Sequence, residues 1–462
     1  MAKIIKKSIS YGSIATLVLL LAAGSASRVC AQNVPPPNRE RLLNGLTILY
    51  GNRSGEANVL VKMRVHSGAV FDLAGKAGTM SLLADALFPE VTTREYVAEQ
   101  LGGHLEVATT YEAIDVSISG KASELERMIE LIRNAILNLN LSAESVTTLR
   151  EARLKQLSEK RSSISDIANR AIAARLFGSF PYGNPAEGTV ETVAKIDRAD
   201  LMLARERFLN ADNATLVVIG GVEKAALMRA ARQLLGSWQK GDRMVPATFR
   251  QAAAVDPRVL IVDHPGANKA EIRLGVRGLA RSDRDAAAAS LLAAIIKQRW
   301  QSADNEISSP VVVHEAHALN GMFMLGGNVP AQSAAKAIST ARAVMQAIAK
   351  EDPSMTELET ARKTILMKSA SLSPSESLAD LWLDSETYKS PANNESDELN
   401  RTSPADVRRI ATRLFEGAAP QAIVVLGNAA ELKSQFDARV EVRANQPQMK
   451  PVSDSSLPPK KP

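Results

Sequence analysis

The sequence predicts an α+β protein made of two homologous α/β sandwich modules, each a mostly antiparallel sheet with helices packed on one face. Three observations predict it. A β-rich opening, an apolar helix and a closing β-branched run occur twice, at a spacing of roughly 200 residues that is too long for a solenoid repeat. Strands joined as hairpins stand beside amphipathic helices, which argues against a doubly wound parallel sheet. The chain has 462 residues, 45% of them hydrophobic and 23% charged, enough to fill more than one core.

The elements justify this in order. Each half opens with β-rich segments, residues 46–50 with 59–65 and residues 259–262 with 272–276. An apolar helical stretch follows in each, residues 79–87 and 286–300. In the first half, residues 106–110 and 114–119 alternate as strands around a turn near Tyr111-Glu112. Residues 122–139 and 144–161 then space Leu, Ile and Met as helices with a charged outer face,. Both halves close alike. Asp197 in one, and Thr402-Ser403 in the other, stand where a helix N-cap is wanted,. The runs Ala214-Thr215-Leu216-Val217-Val218-Ile219-Gly220 and Gln421-Ala422-Ile423-Val424-Val425-Leu426-Gly427 read as the last strands,.

Boundaries follow from composition. Lys3, Lys6 and Lys7 precede an apolar run at residues 14–23, and Val29-Cys30-Ala31 supplies small residues before a cut. Residues 1–31 therefore read as a secretory signal peptide, with an apolar run too short to span a bilayer. Residues 32–41 are a proline-containing flexible lead-in. Residues 42–239 form the first module, 240–256 the linker, 257–443 the second module and 444–462 a disordered tail.

The leader holds four basic residues and no acidic ones, so its removal takes 56 basic against 50 acidic residues to 52 against 50. A mature chain so near neutrality gives no reason to expect nucleic acid or a membrane surface as partner, and no span remains after cleavage. Cys30, the one cysteine, leaves with the leader. Thiol catalysis and cysteine-ligated metals are excluded, and export, to a periplasm or as a secreted protein, requires no disulfide.

Several segments, read in series, resemble the insulinase/pitrilysin (inverzincin) metallopeptidases, in the manner of processing peptidases. Leu43-Asn44-Gly45-Leu46 is similar to the opening strand, and Ser67-Gly68-Ala69-Val70 with Gly75-Lys76-Ala77-Gly78 to the approach to the active-site helix. Pro181-Tyr182-Gly183-Asn184-Pro185 with Gly188-Thr189 resembles a loop signature, Asn213 to Val218 the closing strand, and Asp263-His264-Pro265-Gly266 the opening of the second module. The likeness runs over residues 42–440 and implies one half of a clam-shell. It also implies an H-x-x-E-H helix whose two His bind zinc and whose Glu activates water, with a downstream Glu as third ligand. The corresponding positions here are Ser81, Ala84, Asp85 and Gln156. A hydroxyl, a methyl, one carboxylate and an amide cannot do that work, so no catalytic residue and no zinc or other cofactor are expected.

The resemblance further implies that an extended peptide adds to an edge strand, here Glu106-Val107-Ala108, through backbone hydrogen bonds that do not need particular side chains,. Zinc-free partner subunits of the family supply an Arg and a Tyr to the substrate. Those positions fall on Asn305 and Val312, with Arg299 nearby as a possible remnant, a helix-end charge or a salt-bridge partner. His314 and His317 are the one histidine cluster and the candidate for a metal site elsewhere. On a strand they would face apart, on a helix together. His66, His104 and His264 stand alone. The expected function is an exported, non-catalytic partner subunit of a zinc-bearing homologue, contributing chamber and peptide-binding surface. The alternatives are a structural scaffold subunit and a metallopeptidase with an atypical metal site.

Overall fold

The computed structural model describes residues 36–160, 163–241, 249, 252–369, 373–389, 395–416, 421–436 and 439–444. The expected leader, the first residues of the lead-in, most of the linker and most of the tail lie outside them; the end of the lead-in, expected to be flexible, is instead the strand Asn38–Arg41, held by backbone pairing to its neighbour.

In the first module β1 (Asn38–Arg41), β2 (Thr47–Asn52) and β3 (Asn58–Val65) lead to helices α1 (Thr79–Leu87) and α2 (Val91–Glu99). The hairpin β4 (His104–Thr109) and β5 (Ile114–Lys121) follows, then α3 (Leu125–Leu137), α4 (Ala143–Lys160), α5 (Ile164–Phe177) and α6 (Arg198–Phe208). β6 (Ala214–Gly220) and α7 (Lys224–Leu235) complete it. The second module runs β7 (Val259–Asp263), β8 (Lys269–Arg277), α8 (Ala286–Ala303), β9 (Ser308–Glu315), β10 (Met322–Pro330), α9 (Ala334–Lys350), α10 (Met355–Ser369), α11 (Pro374–Tyr388), α12 (Pro404–Phe415), β11 (Ala422–Gly427) and β12 (Val440–Ala444).

Each module carries a six-stranded sheet, in the orders β1-β2-β6-β3-β5-β4 and β12-β7-β11-β8-β10-β9. Five of the six strands correspond one to one, β2 to β7, β6 to β11, β3 to β8, β5 to β10 and β4 to β9. In each sheet the closing strand lies parallel to the opening one, Thr47 opposite Thr215 and Val259 opposite Ile423, and the remaining core pairs are antiparallel. The outer strand breaks the likeness, because β1 runs antiparallel to β2 whereas β12 runs parallel to β7. The duplicated sequence thus folds as the duplicated, mostly antiparallel sheet it predicts, made mixed by the parallel pairs β2–β6, β7–β11 and β7–β12. The closing helices begin as expected: the Asp197 carboxylate accepts from the Asp200 N–H at 3.1 Å and the Ser403 hydroxyl from the Asp406 N–H at 3.2 Å, satisfying donors that a helix start otherwise leaves free.

Each module's own helices lie on one face of its sheet. The opposite face is closed by a helix from the other module. Leu49, Leu60, Val217 and Ile219 of the first sheet pack against Ala379, Trp382 and Leu383 of α11. Leu260, Val262, Val424 and Leu426 of the second pack against Ile172, Leu176 and Phe177 of α5. The two N-caps that start these helices are equivalent, Ser163 and Ser373, each accepting from the N–H three residues on. This exchange explains why β6 and β11 are buried along their whole length. A strand covered on both faces reads as a continuous apolar run, and both strands do. Among the described residues no helix is long and apolar enough to cross a membrane.

Candidate functional site

The start of α1 is set by two glycines from the two signature segments. Gly78 adopts φ +97°, and a Cβ there would lie 2.8 Å from the Glu187 carbonyl oxygen; one on Gly188, at φ +81°, would lie 2.4 Å from that of Ala77. Two backbones meet where neither can carry a side chain. The Asp72 carboxylate accepts from the N–H groups of Gly78 and Met80 at 2.6 and 2.8 Å, and burial pushes its carboxyl up to about 7,. The Thr192 hydroxyl donates to the Ala77 carbonyl at 2.8 Å. The approach to α1 is therefore held rigidly, as a site-bearing helix needs.

Positions 81, 84 and 85 lie three and four residues apart and share one face of α1. Ser81 is 4% exposed and Ala84 2%. Asp85, in the last turn, accepts from Arg153 of α4 through Nε at 3.0 Å and Nη2 at 2.5 Å, both on Oδ2. Burial raises the Asp85 carboxyl above its ordinary value, and the Arg153 guanidinium opposes that shift. Gln156, three residues beyond Arg153, is exposed on α4. The set fits a zinc ion poorly: it offers one hydroxyl and one carboxylate, and the carboxylate already holds a cation. Among the described residues no group of three or more His, Cys, Asp or Glu side chains comes together as ligands.

The strand geometry separates His314 from His317. On β9, His314 accepts from the Leu279 N–H at 3.1 Å through Nε2, and burial takes its imidazole down to about 4. His317 follows the strand, with its ring 4.5 Å from Tyr182 and 4.8 Å from Tyr111 and its Nδ1 3.8 Å from Glu112. Glu112 also accepts from the Tyr182 hydroxyl at 2.9 Å and the Ala318 N–H at 3.1 Å. The tips of hairpins β4–β5 and β9–β10 thus meet at the junction of the modules. Each histidine is engaged by a different neighbour.

Glu106, Val107 and Ala108 lie on β4, which pairs only with β5 and leaves its outer edge open among the described residues. Its counterpart β9 is guarded. It contains Pro310, Ser309 at φ 50° and a register shift between Gly326 and Asn328 on its neighbour, all features that discourage a further strand. β4 has none of these. Arg299 is committed within the module: it donates to both oxygens of Glu357 at 2.6 and 3.1 Å and so ties α8 to the start of α10. This is the salt-bridge alternative among its expected roles.

The sequence reading missed the charges that hold the modules together. Arg64 grips Asp115 at 2.7 and 2.8 Å and reaches Asp384 of α11 at 2.7 Å, while Lys62 pairs with Asp380. Arg273 donates to Asn169 and Ser165 of α5, each at 2.7 Å. Lys62 stands opposite Val217 and Arg273 opposite Val424, so these cations occupy equivalent positions and hold the exchanged helices. A basic residue inside an apolar strand was the available signal.

Residues 47–190 match the family described as Insulinase (Peptidase family M16), and residues 195–365 match Peptidase M16 inactive domain. The chain belongs to the insulinase family. Human cytochrome b-c1 complex subunit 1, mitochondrial, is 26% identical over 222 residues, 46% of each chain. An uncharacterised zinc protease of Mycobacterium bovis is 25% identical over 248 residues, 52% of this chain and 56% of that one. The matched region spans about half the length of these curated relatives. Among solved structures, a protease from Helicobacter pylori superposes with a TM-score of 0.76 at 16% identity, over 85% of this chain and 100% of that one. That likeness is one of fold. The two glycine segments at α1 thus shape the helix that carries Ser81, Ala84 and Asp85.

Proposed function

We propose that this chain is an exported, non-catalytic insulinase-family subunit that associates with a zinc-bearing homologue and contributes chamber wall and a peptide-binding edge. The observation that carries the reading is the pairing of Asp85 with Arg153 on the helix face where the family places its metal and base. A general base alone is worth about 10²–10⁴ in rate; here Ala84 takes that position, and among the described residues no cluster of three metal-ligating side chains replaces the site. The open β4 supports peptide capture, since backbone pairing survives the loss of catalytic side chains. The leader pattern in residues 1–31 supports export, to a periplasm or beyond the cell.

Two observations favour a second reading, a structural scaffold with no part in proteolysis. Among the relatives is a subunit of the cytochrome b-c1 complex, and Arg299 is spent on Glu357. Co-expression separates the two. The partner reading expects the purified chain to be inert on unstructured peptides and to gain or enhance cleavage when combined with a homologue carrying H-x-x-E-H. Chelator-sensitive cleavage by this chain alone would sink both readings and favour a metallopeptidase with an atypical metal site. Association without any effect on cleavage, and without peptide binding, would leave the scaffold.

A further inference from the structure

The mismatch between the family's metal site and these residues carries one more step, which holds whether the chain is partner or scaffold. Asp85 sits in the last turn of α1, where the helix dipole is unfavourable to an anion, with its side chain 37% exposed. A carboxylate in that place is stabilised by a neighbouring cation. In an intact site a His would stand at that position and a metal ion would join the helices that bear its ligands. Here Arg153, whose side chain is 11% exposed, reaches across from α4 and sets two donors on one Asp85 oxygen.

We propose that Arg153 stands in for the metal ion, as the fixed cation that neutralises Asp85 and joins α1 to α4. The cation is then covalently part of the chain, and the ion pair it makes is indifferent to chelators. It also repels a divalent ion from the same helix face, so restoring ligands on α1 alone does not restore metal binding.

The full-length protein tests this in three ways. In a double-mutant cycle, D85N and R153M should each lower the unfolding midpoint, and D85N/R153M should fall no further than the worse single variant, because the second change removes the charge the first left unpaired. Additive losses would overturn the proposal. The wild-type melting temperature should not change with a chelator, and a drop on chelation would overturn it as well. Zinc titration of S81H/A84E/D85H with and without R153A should show affinity at least about tenfold tighter once the guanidinium is gone. Equal affinities, including two that are both undetectable, would count against it.

Discussion

His66 shows how burial converts a lone histidine into a structural group. Its ring lies between the hydroxyls of Thr215 at 2.9 Å and Thr387 at 3.1 Å, and burial together with the Arg64 guanidinium takes it down to about 4. The unfolded chain binds a proton near pH 6.5 and the folded one only near 4, so the unfolded state holds more protons between them and stability falls as pH drops through that window. Asp72 acts in the opposite sense: raised to about 7, it binds more protons folded than unfolded, and its contribution fades as pH rises from about 4 to 7. Melting curves across pH 4–7 should therefore flatten on the acid-destabilised side in H66Q and on the opposite side in D72N. The His66 contribution is at most about 3 kcal/mol; an unchanged profile in H66Q would refute the buried neutral ring. A second expectation concerns Gly78. G78A should cost about 2 kcal/mol or more, because a non-glycine residue at positive φ is strained and the new methyl meets the Glu187 carbonyl,. A wild-type unfolding midpoint for G78A would contradict it.

Among the elements, β4 and β9 occupy the same place in two copies of one sheet yet present different edges. Pro310, Ser309 and the neighbouring irregularity close β9, whereas β4 runs regularly from His104 to Thr109 with Glu106 exposed as its one acidic side chain. The expected result of V107P is loss of binding to an immobilised extended peptide with little loss of fold, since an edge strand tolerates proline where its N–H faces outward. Proline in β9 at Val311 should leave peptide binding as it was. Equal binding by wild type and V107P would remove β4 from the proposed function. The strand itself was legible in the alternation of residues 106–110. That its edge stays open was not, because edge position is decided by which strands pair, and that depends on residues far apart in sequence.

At the scale of the molecule, the exchange of α5 and α11 makes the modules depend on each other. The first sheet's outer face is finished by Trp382, fully buried, and a side chain at Gly51 would lie 2.9 Å from its ring. W382A should cost about 3–5 kcal/mol, measured as a shift in the unfolding midpoint. Residues 36–241 expressed alone should be poorly soluble or should expose apolar surface to a dye, for the face bearing Leu49, Leu60, Val217 and Ile219 would be bare,. A separately stable first module with a wild-type-like melting transition would contradict this interdependence.

The sequence by itself determined the duplication, the class of fold and the family, and it predicted that Ser81, Ala84 and Asp85 stand where the family has its two His and its Glu, because those follow from local pattern and residue identity. It also carried the exchange in latent form, in the unbroken apolar runs of β6 and β11 and in Lys62 and Arg273 set within apolar strands. The tertiary structure alone decided that Arg153 answers Asp85, that Arg299 answers Glu357, and that His314 and His317 serve different neighbours. Each of those outcomes turns on which helices and hairpins come to lie side by side, and a charge in a sequence does not announce its counterion until the fold has brought the two within a few ångströms.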